Sequence, residues 1–392
     1  DMVWQIANGD KYNFLSRPRR FGKSLLVSTL QCYFEGKKEL FEGLKIMELE
    51  KDWIKRPVIH FSMNLGGSDA ESLYHYLDDT LTKYEEIYGK RATEATLSNR
   101  FTGIIERAYQ QSGEQVAVLV DEYDAPLQHS YLTDRHEKCR NLYRDFFTGL
   151  KDYGYCIKCV FLTGITKFTQ ISLFSVLNTL SNISFYNCYA TICGLTKEEI
   201  LENLKDEIQV LAAQKKWDID QTMHELKDMY DGYHFSESLQ GVYNPFSVIS
   251  ALKERRLRPY WIASGATEML PKILTNFEKD VETLDGSLID MDYIETADIN
   301  KDNPKLFLYQ SGYLTIKGVI GETYRLGFPN REVKKALLEL VVPNMLNANK
   351  EETEIASRHY ADAYAASKKK LISLALVFDK ENRGLIDWQK AD

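Results

Sequence analysis

Three short stretches carry residue types whose spacing suits phosphoryl transfer. The first is Ser16-Arg-Pro-Arg-Arg-Phe-Gly-Lys-Ser24, set between an apolar run and a helix-forming one. In a loop ending Gly22-Lys23-Ser24, consecutive backbone N–H groups and the helix N-terminus cradle phosphates. Lys23 then reaches the β- and γ-phosphates, and the Ser24 hydroxyl binds Mg²⁺. The full pattern G-x-x-x-x-G-K-[ST] asks for Gly at position 17, where this chain has Arg17. A side chain there removes the freedom to take φ > 0. On this stretch alone, a chance Gly-Lys-Ser flanked by solvated arginines is as good an explanation.

The second stretch is Val116-Ala-Val-Leu-Val-Asp121-Glu122-Tyr-Asp124, a buried strand ending in carboxylates. Asp121 at the strand's end suits Mg²⁺, and Glu122 suits a general base that polarises the attacking water. Adjacent carboxylates repel unless a cation sits among them. Asp124 is the rival base, and the alternative is a strand ending in a solvated acidic turn. The third stretch, Val160-Phe-Leu-Thr163-Gly164, puts a polar Thr163 at the end of another apolar run, where it could sense the γ-phosphate or simply cap the next turn. In this order, the three stretches predict a nucleoside triphosphatase. The base is expected to be adenine, because the guanine motif Asn-Lys-x-Asp is absent and Asn203-Leu-Lys-Asp206 has those residues in the wrong order.

The elements around these stretches alternate. Strands are predicted at Tyr12–Ser16, Val58–Met63, Val116–Asp121, Ile157–Thr163 and Phe185–Ala190. Helices are predicted at Lys23–Phe34, Ala70–Tyr88, Leu97–Gln111 and Arg135–Leu150, giving an α/β domain with a mainly parallel sheet. From Thr196-Lys-Glu-Glu199, a capping box, helices dominate to Arg256, broken at Asp231-Gly232 and Asn244-Pro245. Leu306–Lys317, a Gly318…Gly321 turn and Thr323–Phe328 read as a hairpin, and helix plus hairpin suggests a winged helix. The tail begins as a helix and ends with a strand at Leu371–Phe378.

Composition narrows the classes. The 392 residues are 44% hydrophobic and 27% charged, as in globular proteins. The net charge of −8 does not steer the whole molecule toward nucleic acid, so DNA contact would need a local patch. No apolar run is long enough for a membrane span, the first twenty residues lack a secretory block, and the start at Asp1 suggests a fragment. Cys156-Ile-Lys-Cys159 lies in an apolar strand, where an offset of three points the thiols to opposite faces. These cysteines read as core residues in a reducing cytoplasm.

Arg17-Pro-Arg-Arg-Phe-Gly-Lys-Ser24, Val120-Asp-Glu-Tyr-Asp124, Leu162-Thr-Gly-Ile165 with Ser172-Leu-Phe-Ser175, and Tyr230-Asp-Gly-Tyr-His-Phe235 with Val242-Tyr-Asn-Pro245 resemble the AAA-ATPase-like family. These are bacterial ATPases usually followed by a PD-(D/E)XK nuclease domain. The similarity continues through Gly312-Tyr-Leu-Thr-Ile-Lys317 to Leu326-Gly-Phe-Pro-Asn330. The resemblance implies an additional-strand P-loop fold, with the sensor strand between the P-loop and Walker B strands. It makes Arg17 the family norm and implies ATP contacts at Arg19, Arg20, Phe21, Gly22, Lys23, Ser24 and Leu25. Mg²⁺ would sit at Ser24 and Asp121, and catalysis would fall to Glu122, Lys23 and Thr163. Three regions are expected: an ATPase core at 1–195, a helical lid with a winged-helix-like part at 196–330, and a partial nuclease-like α/β remnant at 331–392.

The remnant departs from the family. Tyr360–Tyr364 and Leu374–Asp379 with Arg383…Asp387-Trp388 resemble the end of the nuclease domain. The Asp and Glu-x-Lys ligands expected around Asn344–Ile355 are missing, and Glu225-Leu-Lys227 sits in a helix. Either the core is lost or a stretch is absent from this numbering, and no nuclease activity is expected of the chain as written. His129 and His136 are expected to be surface residues rather than catalysts. Arg17, Arg19 and Arg20 suit phosphate contacts, a finger in trans within an oligomer, or equally a solvated or nucleic-acid-facing cluster. Tyr243-Asn-Pro245 could pack on adenine or serve as a helix start. Lys317, Arg325, Arg331, Lys334 and Lys335 could touch DNA or belong to an internal lid. Three functions stay open: an ATPase driving conformational change on DNA or a protein partner, in a mobile-element or defence setting; a nucleotide-controlled signalling switch with little turnover; and a DNA-binding winged-helix module.

Overall fold

Five strands are laid down as β1 (Tyr12–Ser16), β2 (Val58–Ser62), β3 (Val116–Asp121), β4 (Ile157–Gly164) and β5 (Ser181–Asn182). They form one sheet in the order β2-β3-β4-β1-β5, with every pairing parallel. The computed structural model describes residues 1–168, 180–261, 269–274, 281–297, 299, 303–337, 373–378 and 385–391. All six residues of β3 are buried, as continuous apolar runs in parallel sheets require. β4 inserts between β1 and β3, so the loops that follow these three strands leave the same edge of the sheet. The helices Lys23–Phe34, Ala70–Tyr88, Leu97–Ser112 and His136–Phe147 fall in the intervals read from the sequence. Asp69 and Thr96 cap two of them by accepting from the Ser72 and Asn99 amides.

One strand expectation fails. Phe185–Ala190 is not a strand but falls in two single turns of 3₁₀-helix, Ile183–Phe185 and Asn187–Tyr189; the edge strand is the two-residue β5 just before them. The cause is Arg17, whose guanidinium donates to the Ser184 and Tyr189 carbonyls at 2.9 and 2.8 Å. These acceptors are thereby withdrawn from any ladder.

The helical region keeps the predicted capping box, with both Thr196–Glu199 bonds formed. Helices Lys197–Asn203, Lys205–Lys215, Ile219–Tyr230 and Pro245–Glu254 follow. They share a core that includes Ile200, Leu211, Leu226, Tyr230 and Val248. The break after Tyr230 needs glycine. Gly232 has φ +88°, and a Cβ there would stand 2.3 Å from the Pro329 carbonyl oxygen. A short hairpin, β6 (Tyr233–His234) and β7 (Gly241–Val242), fills the break.

The later hairpin also differs from expectation. Leu306–Gln310 belongs to a helix, Lys305–Gln310, and is buried throughout; the four-residue apolar run Leu306–Tyr309 does not distinguish helix from strand. β8 (Leu288–Asp290), β9 (Thr315–Ile320) and β10 (Thr323–Gly327) form an antiparallel sheet in the order β8-β10-β9. The turn lies at Gly321-Glu322, three residues later than its expected start, where Gly321 supplies φ +58°.

Glu332 is the second residue of the helix at 331–337. Its side chain is fully buried, and Oε1 accepts from the Ser247 hydroxyl and the Tyr260 and Trp261 amides. Burial pushes its carboxyl up to about 7, against those three hydrogen bonds. The folded state therefore keeps a proton that the unfolded chain releases at the ordinary glutamate pKa. Its stabilising effect is complete below that pKa and is lost as pH rises toward about 7. We expect urea unfolding to show this loss, on the order of 3 kcal/mol across the window, and Glu332→Gln to flatten it. An unchanged slope in the variant would reject the assignment.

Residues 338–392 form a second unit. Within it β11 (Ser373–Phe378) pairs antiparallel with β12 (Leu385–Ala391), which carries Asp387 and Trp388. The expectations at Ser172–Ser175, Asn344–Ile355, Tyr360–Tyr364, Asp379 and Arg383 lie outside the described residues. Among the described residues no helix is long and apolar enough to cross a membrane.

Candidate functional site

The loops after β1 and β3 open onto a cleft of about 520 Å³. Gly22 is the N-cap of the helix Lys23–Phe34 and sits in the left-handed region at φ +93°, a conformation glycine adopts at least cost. Arg20 is also left-handed, at φ +66°. Together they turn the loop so that Arg19, Arg20, Gly22, Ser24 and Leu25 line the cleft. Ser24 and Leu25 are exposed there, as a ligand-facing helix start requires.

Lys23 lines the same cleft yet is buried. Its Nζ donates to the Arg17 and Pro18 carbonyls, both at 2.9 Å. Burial pushes the ammonium pKa down, while Asp124 foremost, with Glu122 and Asp121, pulls it back. Arg17 is not in the cleft. Its guanidinium lies 4.2 Å over the Phe235 ring and is held by backbone carbonyls, so it pins the loop to the helical region rather than contacting phosphate. The Phe21 ring likewise turns inward, edge-on to Tyr233 and Phe235 with centroids 4.7 and 5.5 Å away. The Phe21 ring is therefore directed away from the cleft.

Across the cleft, the carboxylates separate into different tasks. Asp121 is buried and its Oδ1 has no hydrogen-bond partner among the described residues. Leaving such an oxygen bare is costly, and a bound cation or its water shell would satisfy it. Glu122 is half-buried in the left-handed region at φ +50°, a strain that side-chain-bearing residues seldom accept without a positional need. Burial and then Asp121 raise its pKa, with Lys23 and Arg19 opposing. Asp124 is buried and anchored: Oδ2 accepts from the Ile165 and Thr166 amides at 3.0 and 2.6 Å, and from the Thr166 hydroxyl and Gln128 amide. Its other oxygen explains Gly164, where a Cβ would meet Oδ1 at 2.3 Å.

Thr163 does not face the cleft. It is fully buried, and its hydroxyl donates to the Leu15 carbonyl at 2.9 Å, tying β4 to β1. In this state the hydroxyl is engaged with the neighbouring strand. His129 does line the cleft, with Nδ1 3.3 Å from the Gly67 carbonyl, whereas His136 meets the Ser130 hydroxyl.

Sequence reasoning missed Phe246, which lines the cleft from the helical region with the Arg20 guanidinium 5.0 Å over its ring. The signal was adjacent: Asn244 is the N-cap and Pro245 the first helical residue, so the next side chain projects from the helix start. Tyr243 is instead buried in the helical core. Trp261 was missed too; its indole N–H donates to the Arg19 carbonyl. The basic group near the hairpin is mostly spoken for. Lys317 donates to the Pro329 carbonyl, Arg331 pairs with Glu225 and Asp228, and Lys334 lies over Phe328.

Residues 1–174 match the AAA-ATPase-like family, described as a predicted AAA-ATPase. The chain is also similar to an uncharacterized protein in the vnfD 5′ region of Azotobacter chroococcum mcd 1. The two are 34% identical over 344 residues, which is 86% of this chain and 64% of the relative. The chain thus spans less than two thirds of that relative's length. An AAA-ATPase-like P-loop domain occupies residues 1–174.

Proposed function

We propose that this chain binds Mg²⁺-ATP in the cleft and hydrolyses it, with the helical region acting as a lid that responds to the nucleotide. The observation that carries this reading is the convergence on one cleft of Lys23 and Ser24, the carboxylate Glu122, and Phe246 from the helical region, with Asp121 at the end of the adjoining strand. The phosphates take the Gly22-Lys23-Ser24 turn, where backbone N–H groups and the helix N-terminus favour anions. Ser24 and Asp121 would hold Mg²⁺, and the bare Asp121 Oδ1 fits that role. The ion supplies charge neutralisation at the phosphates. Glu122, raised by burial and by Asp121, positions and deprotonates the attacking water. Arg19 and Arg20 add positive charge at the cleft wall.

The lid reading is favoured over the DNA-binding one because the basic residues near the hairpin already have internal partners. Phe21, Arg17 and Arg19 tie the loop to Tyr233, Phe235 and Trp261 of the lid, which suits transmission of nucleotide state. Calorimetric titration with ATP, with and without Mg²⁺, and phosphate release assayed with and without DNA test the proposal. Absence of ATP binding would sink it, and binding without turnover would favour a switch.

Phe246 is expected to stack on the base. Phe246→Ala should weaken ATP about tenfold, within the range for one aromatic–base contact, while Phe246→Trp should retain affinity. Equal affinity in all three proteins would remove Phe246 from the site.

A further inference from the structure

The Arg20 guanidinium is held on the nucleotide cleft by an aromatic face. Its Cζ stands 5.0 Å over the Phe246 ring centroid, and both residues line the cleft. Among the described residues it makes no ion pair, although Glu122 and Asp124 line the same cleft. Arg20 is exposed, and a cation–π contact at an exposed site changes a binding constant only a few-fold. The guanidinium is thus weakly held where the base is expected to stack.

What surrounds that head group is anchored. On one side of Arg20, the Arg19 carbonyl accepts the Trp261 indole N–H at 3.2 Å. On the other, the Phe21 ring meets Tyr233 and Phe235 edge-on. Phe246 is fixed by its neighbours as well. Asn244 caps its helix by accepting from the Ser247 amide at 3.0 Å, and the Ser247 hydroxyl donates to the buried Glu332 at 3.1 Å. The part free to move is the Arg20 side chain. It starts just before the phosphate turn Gly22-Lys23-Ser24 and ends on the Phe246 ring.

Resting on the nucleotide reading above, we infer that Arg20 is a specificity-determining residue that makes base binding conditional on a polyphosphate. The guanidinium and a stacked base exclude one another on that face of Phe246. A phosphate chain at the turn draws the guanidinium away, because a charge-assisted fork on phosphate oxygens is stronger than an exposed cation–π contact. The ring face is then open to the base. A nucleoside carries no such charge and must break the cation–π contact unaided. The cleft therefore discriminates against nucleosides beyond what the phosphate contacts themselves supply. The two ends of the ligand are linked through one side chain, and that linkage is reciprocal.

The test is calorimetric titration of the full chain and of Arg20→Ala with ATP, with adenosine, and with adenosine in saturating Mg²⁺-pyrophosphate. Pyrophosphate supplies the anion while leaving room for the nucleoside's 5′ hydroxyl. Arg20→Ala should bind adenosine about two- to fivefold more tightly, the strength of an exposed cation–π contact. It should bind ATP about fivefold more weakly or worse, because hydrogen bonds between charged groups are lost. Pyrophosphate should tighten adenosine by a similar few-fold factor in wild type and leave it unchanged in the variant. Arg20 holds φ +66°, and alanine adds no strain that arginine does not already bear. Arg20→Gln repeats the series if the alanine variant melts early. ATP affinity unchanged in Arg20→Ala, adenosine weakened in it, or no pyrophosphate effect in wild type would each overturn the inference and leave the nucleotide reading standing. So would adenosine binding undetectable in both proteins up to ~10 mM, beyond the millimolar range. Absence of ATP binding in wild type would remove both.

Discussion

Lys23→Ala is expected to lose ATP affinity by roughly 10²-fold or more and also to lower the melting temperature of the nucleotide-free protein. The first effect follows from removing the point charge that meets the phosphates. The second follows from where the ammonium rests. Its Nζ bonds the Arg17 and Pro18 carbonyls from a buried position, and deletion leaves those two acceptors unsatisfied. It also removes the cation that offsets Asp124, Glu122 and Asp121. Against this stands relief from burying a charge, so the net cost is about 2 kcal/mol, a drop of several degrees. A reading from sequence alone would treat this lysine as exposed and its loss as harmless to the fold. Calorimetry with ATP and a melting curve for each protein decide between them. Unchanged affinity would remove Lys23 from the phosphate site. Lost affinity with an unchanged melting temperature would mean that the two carbonyl contacts contribute nothing to stability.

The core of this site was legible because its strands are buried on both faces. β1 and β3 match their predicted limits, since each is a short apolar run bounded by polar residues. The helix starts were legible from Asp69, Thr96 and Thr196, whose side chains cap as local rules require. What failed was set by distant partners. Arg17 looks like a phosphate ligand in its loop, but its fate is decided by Ser184 and Tyr189, well over a hundred residues away. The same contacts turned the expected strand at Phe185–Ala190 into 3₁₀ turns. Phe246 carries no motif, and its place opposite Arg20 depends on how the helical region packs. Thr163 ends a strand as a sensor should, yet the neighbouring β1 offers the Leu15 carbonyl, and the hydroxyl takes it. Spacing reports which residues share an element; it does not report which long-range acceptor captures a side chain.

Glu122 and Asp124 were indistinguishable by sequence, and the geometry separates them into testable parts. Glu122→Gln should leave the fold and ATP affinity near wild type and reduce turnover by roughly 10²-fold or more, the range for losing a general base. Its carboxylate is half-buried on the cleft wall with no structural hydrogen bond to lose among those described. Asp124→Asn should behave differently. The carboxylate holds the Ile165 and Thr166 amides and the Thr166 hydroxyl, and Gln128 donates to the same oxygen. An amide in its place either turns its NH₂ toward those donors or keeps only the oxygen and loses the charge. The expected cost is about 2–3 kcal/mol of stability, since hydrogen bonds to a charged acceptor are the stronger kind. Turnover should then fall together with melting temperature and recover in part on cooling. The burial-raised pKa of Glu122 adds a second readout. Turnover should drop as pH falls below that pKa, because a protonated carboxyl cannot accept a proton from water, and the acid limb should disappear from the residual rate of Glu122→Gln. If Asp124→Asn instead abolishes turnover at full stability while Glu122→Gln retains it, Asp124 is the base and Glu122 only shapes the turn.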